Sequence, residues 1–158
     1  NLLVFLLPFS NGQFPGINLD ANSTLKLVAS FLALSLTSSF NYIINDYIDI
    51  ESDRLHPTKK QRPMAQGSVS PLHGISIGIS LLILSLSISM LLGHLFLIAI
   101  IGFGALQLLY SIILKNQADL DIVVLAVLHI YRVLMVYLFL DVHYSNYFVL
   151  FIFWIFIR

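Results

Sequence analysis

The sequence predicts an all-α protein, a multi-pass bundle of transmembrane helices, and three observations carry that prediction. Hydrophobic residues fill 58% of the 158 positions and charged ones only 10%, with a mean hydropathy of +0.91. That is more apolar surface than a soluble domain of this length can hide. The apolar residues also run in stretches close to the ~20 residues that carry a helix across the hydrocarbon core. Finally, half of the Asp, Glu, Lys and Arg side chains crowd into residues 46–62, so charge lies between the apolar stretches.

The first predicted span is 25–44. It follows the turn-rich NGQFPGINLDANST, and Lys26 can snorkel from its outer end. No basic leader or small-residue cleavage site accompanies it, which separates it from a signal peptide. The second span, 75–93, is announced by Ser70 as N-cap and Pro71 as first helical residue; spans at 95–114 and 122–140 follow. Partial spans at 1–9 and 147–158 look cut short. With no initial Met and an end at Arg158 inside an apolar stretch, the chain is expected to be the N-terminal portion of a longer protein, one truncated integral membrane domain over 1–158.

Cysteine is absent, which excludes disulfides and thiolate metal sites. A net charge of zero argues against nucleic acid as a partner. The basic residues set topology: Lys59, Lys60 and Arg62 mark one loop as cytoplasmic and Lys115 marks another. Two spans separate these loops, so 46–62 and 115–121 return to the same cytoplasmic face of the cell (inner) membrane. The turn at Gly93 and His94 and the segment 141–146 then fall on the opposite side.

Chemistry is expected in NDYIDIESDRLHPTKKQR, residues 45–62. On a continuous helix Asp46, Asp49 and Asp53 stand at i, i+3 and i+7 and share a face, spread over about 10 Å of axis. Asn45, Tyr42 and Ser38 occupy the adjoining arc. Three carboxylates so close need a cation. Oxygen-only ligands from Asn45, Asp46, Asp49 and Asp53 suit Mg²⁺, which completes its shell with water and substrate phosphates, so a phosphorylated ligand is implied as well. Pro57 breaks the helix after His56, and the following loop offers Arg62 as a bidentate phosphate grip and Lys59 as a point charge. Glu51 and Lys60 read as solvated charges, and Arg54 stands between that reading and a substrate contact. The spacing of an EF-hand is missing.

At these residues the sequence resembles a family. Asn45, Asp46, Asp49 and Asp53, followed by Lys59, Arg62 and Pro63, are similar to the first aspartate-rich motif of the UbiA-type intramembrane prenyltransferase superfamily. More narrowly, DRLHPTKKQRPMAQG, with NLLVF near the start, resembles the decaprenyl-phosphate phosphoribosyltransferase branch. Prenyltransferases of the superfamily usually carry a DxxxD pair in the second cytoplasmic loop. Here Gln117 and Leu125 stand four residues before and after Asp121, and YSIILKNQADLD is similar to the branch in which a single aspartate remains.

The resemblance implies the UbiA-type fold, of which this chain supplies roughly the first half, with Asp46, Asp49 and Asp121 as catalytic carboxylates. Lys115 would contact a phosphate and Asp121 a second metal or a hydroxyl, across the loop from the first cluster. Tyr110 either lines the same cavity or anchors at the interface; Ser111 lies beside it, and Asp119 reads as a loop acid at the membrane surface. Arg132 sits in mid-span, where a charge costs about 2.5 to 3.5 kcal/mol, so it should face the bundle interior or a lipid phosphate. His129, on the same face, reads as a structural hydrogen-bonder.

What the resemblance implies for activity is a Mg²⁺-dependent transfer of a phosphoribosyl group from phosphoribosyl pyrophosphate to a polyprenyl phosphate at the cytoplasmic face. Two alternatives stay open. One is a prenyltransferase that moves a prenyl group from a prenyl diphosphate to an aromatic or haem-like acceptor. The other is a cation-coupled transporter, which would place carboxylates at mid-membrane depth on several helices.

Overall fold

The computed structural model describes residues 21–113 and 118–140. Six helices follow in order: α1 (Ala21–Ile48), α2 (Ile50–Leu55), α3 (Pro63–Gln66), α4 (Pro71–Leu92), α5 (His94–Ile112) and α6 (Ala118–Leu140), with a 3₁₀ turn at Lys59–Gln61 between α2 and α3. Thr24–Ile48, Pro71–Leu92 and His94–Ile112 are long and apolar enough to cross a membrane, and the described apolar run of α6 is Val123–Arg132. The four apolar stretches are helical, as α1, α4, α5 and α6. The partial spans at 1–9 and 147–158, and the segment 141–146, lie outside the described residues.

The helix expected at 25–44 runs on to Ile48, because the polar residues after it keep the helical register. The continuous helix expected through Asp53 is instead broken for one residue, with Asp49 at φ −90° and ψ 3°. The hydrogen bonds bridge the break: Asp49 N donates to Asn45 O at 3.0 Å and Asp53 N to Asp49 O at 2.8 Å. The polar stripe therefore passes through a bend. α2 ends where Pro57 predicts, since the residue before a proline is pushed out of the helical region; His56 is extended, with ψ 137°.

The α2–α3 segment is folded rather than loosely solvated. The His56 Nδ1 accepts from the backbone N–H groups of Thr58 and Lys59, each at 3.3 Å. Arg54 Nε donates to Ala65 O at 3.3 Å and its Nη1 pairs with Glu51 at 3.1 Å. Gly67, in the left-handed region at φ 85°, closes α3, a conformation that glycine adopts without steric cost. Ser70 caps α4 as expected, its hydroxyl accepting from His73 N.

Two kinds of packing join the helices. α4 buries small residues, with Gly78 and Ser85 against α1 and Gly74 against Met64 of α3. In lipid such residues allow backbones to approach and side-chain hydroxyls to bond across the interface. Ser85 Oγ donates to Ala33 O at 2.8 Å. That bond uses its only proton, so the 2.7 Å contact with Thr37 Oγ1 has Thr37 as donor. The second contact is larger and apolar: Phe96, Ile100 and Phe103 of α5 fill the space between Ala33 and Leu34 of α1 and Leu128 and Met135 of α6. Tyr131 stacks on Phe103 with centroids 5.9 Å apart, and its hydroxyl donates to Ala99 O at 2.9 Å. Outward, Ile77, Ile83, Leu91, Ile98 and Ile101 are exposed, the surface a bilayer would cover.

Candidate functional site

The inner face of α1 carries Ser38, Asn41, Tyr42 and Asn45, and beyond the bend Asp49 and Ser52 continue the row. At 100° per residue all six fall within an arc about 100° wide, and all six line a cavity of about 470 Å³. Lys59 and Arg62 form its rim from the folded segment; Gln107, Tyr110 and Ser111 line it from α5, and Leu125, Leu128, His129 and Arg132 from α6. The wall therefore joins the end of α1 with the end of α5 on one side of the bundle.

The four expected metal ligands divide into two pairs. Asn45 and Asp49 line the cavity. Asp46 and Asp53 are instead held by Arg62, whose Nη1 lies 2.9 Å from Asp46 Oδ1 and 2.9 Å from Asp53 Oδ2. Two turns of straight helix would set Asp46 and Asp53 about 10 Å apart, and the bend at Asp49 lies between them, where a single guanidinium nitrogen reaches both carboxylates. Asp53 is only 2% exposed, and a buried carboxylate requires such a partner. Among the described residues no group of three or more His, Cys, Asp or Glu converges as a metal site. The donors on the cavity wall, one amide oxygen and one carboxylate, nevertheless fit a hard cation that takes one or two carboxylates and fills its remaining positions with water and phosphate oxygens.

Arg62 consequently has a structural contact besides the phosphate role expected of it, though it remains on the cavity wall beside Lys59. Arg54 is not among the lining residues; its contacts are Glu51 and the Ala65 carbonyl. Glu51 and Lys60 are exposed, as expected of solvated charges. Tyr110 is on the wall, and so is Ser111, which is buried. Lys115 lies outside the described residues. Asp119 and Asp121 fall in the first turn of α6, and their side chains are likewise outside the description.

At the deep end, Arg132 does face the bundle interior. Its Nη2 donates to Ser38 Oγ at 3.2 Å, and its guanidinium carbon lies 5.0 Å from the Phe103 ring centroid. Its Nε is buried with no hydrogen-bond partner among the described residues. His129 Nδ1 lies 2.7 Å from Leu125 O, the structural bond expected of it, yet its ring also lines the cavity.

Asn41 and Gln107 were not singled out in the sequence. Asn41 Nδ2 donates to Thr37 O and to Gln107 Oε1, both at 3.0 Å, while Asn41 Oδ1 is buried without a partner among the described residues. The Thr37 carbonyl fixes this orientation, because a flipped amide would set two acceptors against each other. Asn41 could have been found as the residue one turn before Asn45 in the Ser38–Asn45 row. Gln107 carried only the signal of a lone amide in an apolar span.

Comparisons with known proteins agree with this architecture. The model of the UbiA prenyltransferase family matches residues 14–157. Over 127 residues the chain is 39% identical to a decaprenyl-phosphate phosphoribosyltransferase of Mycolicibacterium smegmatis, covering 80% of this chain and 40% of that protein. It is 32% identical over 133 residues to the protein of that name from Mycobacterium tuberculosis, covering 84% and 44%. A protoheme IX farnesyltransferase of Leptospira biflexa is 37% identical over 116 residues, covering 70% and 40%. The chain spans less than half the length of each of these relatives. With three helices able to span a bilayer and a family model matched along nearly its whole length, this is a membrane protein and a member of the UbiA prenyltransferase family.

Proposed function

We propose that the protein containing this chain transfers a phosphoribosyl group from phosphoribosyl pyrophosphate to a polyprenyl phosphate at the cytoplasmic face of the cell membrane. The observation that carries this reading is the character of the cavity, whose wall is polar and bears three cations, Lys59, Arg62 and Arg132, with the carboxylate of Asp49 beside Asn45. Such a wall suits a compact polyanion. Isoprenoid chains need apolar surface instead, which the outward faces of the helices carry.

In this reading Lys59 and Arg62 grip the pyrophosphate at the rim, Asn45 and Asp49 bind a divalent ion, Mg²⁺ by preference, and Lys115 and Asp121 complete the site from the neighbouring loop. When bound, the ion neutralises charge on the departing pyrophosphate. Asp46 and Asp53 hold Arg62 in place and stand ready as further carboxylates, and Tyr110 closes the wall near the acceptor. Reaction consists of one substitution: an oxygen of the lipid phosphate bonds to the anomeric carbon of the ribose as the bond from that carbon to pyrophosphate breaks. The attacking phosphate is already an anion, so no general base is needed. A single displacement inverts the configuration at the anomeric carbon, which NMR of the purified product would check.

The relatives named as decaprenyl-phosphate phosphoribosyltransferases support the donor, and the relative named as a farnesyltransferase supports the competing prenyl reading. Carboxylates gathered at one end of the bundle argue against a cation-coupled transporter, which would need them at depth. The test is to incubate membranes containing the full-length protein with Mg²⁺, labelled phosphoribosyl pyrophosphate and polyprenyl phosphate. Label entering the lipid fraction is the expected result; transfer of a prenyl group to an aromatic or haem-like acceptor instead would show the prenyl reading to be right.

A further inference from the structure

A guanidinium withdrawn from water needs a counter-charge, because an uncompensated ion in a low-dielectric interior costs several kcal/mol, and Arg132 is half-buried on the cavity wall with its Nε fully buried. Among the described residues Arg132 has a hydroxyl and an aromatic ring as partners, Ser38 and Phe103, and no ion pair. The acids on the described helices stand far off. Asp49 lies eleven residues along α1 from Ser38, about 16 Å of helical rise, and Asp121 stands the same number of residues before Arg132 on α6. Asp46 and Asp53 are taken by Arg62. Among the described residues no anion answers Arg132, and the cavity that it lines gives a ligand's anion access to it.

A second unmet group lies beside it. Asn41 is 4% exposed and its Oδ1 accepts nothing among the described residues, although a buried carbonyl oxygen without a donor is costly. Gln107, its oxygen occupied by Asn41 Nδ2, has its amide nitrogen left to donate. The deep end thus needs an acceptor of charge-assisted bonds at Arg132 and a hydroxyl-type donor at Asn41 Oδ1. A phosphate monoester on a polyol supplies both. The phosphate of a polyprenyl lipid supplies only the anion, since its isoprenoid carbons carry no hydroxyl.

We propose that Arg132, Asn41 and Gln107 form a second phosphate subsite at the deep end of the cavity, which takes the monophosphate and neighbouring hydroxyl of the sugar-phosphate half of the donor. This rests on the proposed activity for the identity of the sugar, and it gives the chain a specificity device: a prenyl diphosphate bound at the rim would have to lay its apolar tail against a half-buried cation. The two anionic ends of the donor are then read separately, pyrophosphate at Lys59 and Arg62 and monophosphate at Arg132.

The test is binding of ribose 5-phosphate, with ribose as control, to the full-length protein in nanodiscs without divalent ion. Ribose 5-phosphate should bind in competition with phosphoribosyl pyrophosphate, and ribose should not. Arg132→Gln should weaken ribose 5-phosphate binding about tenfold or more, the loss of a charge-assisted contact, while pyrophosphate affinity stays within about twofold. Arg132→Lys should restore part of the loss. Should Arg132→Gln fail to fold, Ser38→Asp supplies Arg132 with a resident carboxylate and should weaken ribose 5-phosphate binding in a folded protein. Unchanged affinity in these variants overturns the subsite, as does competition with polyprenyl phosphate alone. If the wild-type protein transfers no phosphoribosyl group yet ribose 5-phosphate binding still depends on Arg132, the proposed activity falls and the subsite stands.

Discussion

Arg62 and Asp49 carry the sharpest consequences at the scale of single residues. Arg62 joins α1 to the folded segment by binding Asp46 and the buried Asp53 with one nitrogen. Arg62→Gln leaves a buried carboxylate without its cation, and breaking such a pair costs on the order of 3 kcal/mol. We expect that variant to loosen residues 50–66, visible as faster amide hydrogen exchange there, with exchange in α4 and α5 unchanged. Asp49→Asn should behave differently, because Asp49 lines the cavity at the bend. Transfer activity should fall by about 10²-fold or more, the scale of losing a group that faces the developing charge, while membrane insertion and helical content remain. Retention of most activity would remove Asp49 from the metal site. The sequence marked both residues for chemistry. It could not show that Arg62 faces two ways, since pairing across sixteen residues depends on how the chain turns between them.

Among the elements, the α1–α4 contact is the most exacting. Ser85 bonds both Ala33 O and Thr37, and Gly78 has Ile43 and Phe40 so near that an added Cβ would lie 3.3 and 3.4 Å from them. Ser85→Ala removes two interhelical bonds, each worth about 0.6 kcal/mol in membrane bundles, so thermal stability in detergent should drop by about 1 kcal/mol. Ser85→Leu should be far worse, since its side chain has no space where two backbones meet. Equal effects of Ala and Leu would show that the helices are not in close contact there. Helix existence was legible along this stretch because apolar length and the capping pair Ser70 and Pro71 are local signals. The bend at Asp49 was not, because the residues around it keep the same 3.6-residue period on both sides.

For the whole molecule, the decisive arrangement is that the ends of α1 and α5 open on one cavity. If 46–62 faces the cytoplasm, Gly93 and His94 face the other side. The chain has no cysteine, so single Lys60→Cys and His94→Cys variants, each read against the unsubstituted full-length protein as background, report sidedness. An impermeant maleimide added to intact cells should label position 94 and spare position 60 until the membrane is opened. The reverse pattern would invert the topology and place the site outside.

By itself the sequence determined the all-α membrane architecture, the acid-rich segment and the family, because apolar run length, charge placement and motif spacing are properties of neighbouring residues. Only the tertiary structure decided which of those residues share a wall. It placed Asn45 and Asp49 on the cavity and gave Asp46 and Asp53 to Arg62. It also brought Asn41, Gln107 and Arg132 together from three helices. Helical periodicity fixes the face on which a side chain sits, but the partner opposite that face is set by the packing of small residues on α1 and α4 and of Phe96, Ile100 and Phe103 between α1 and α6.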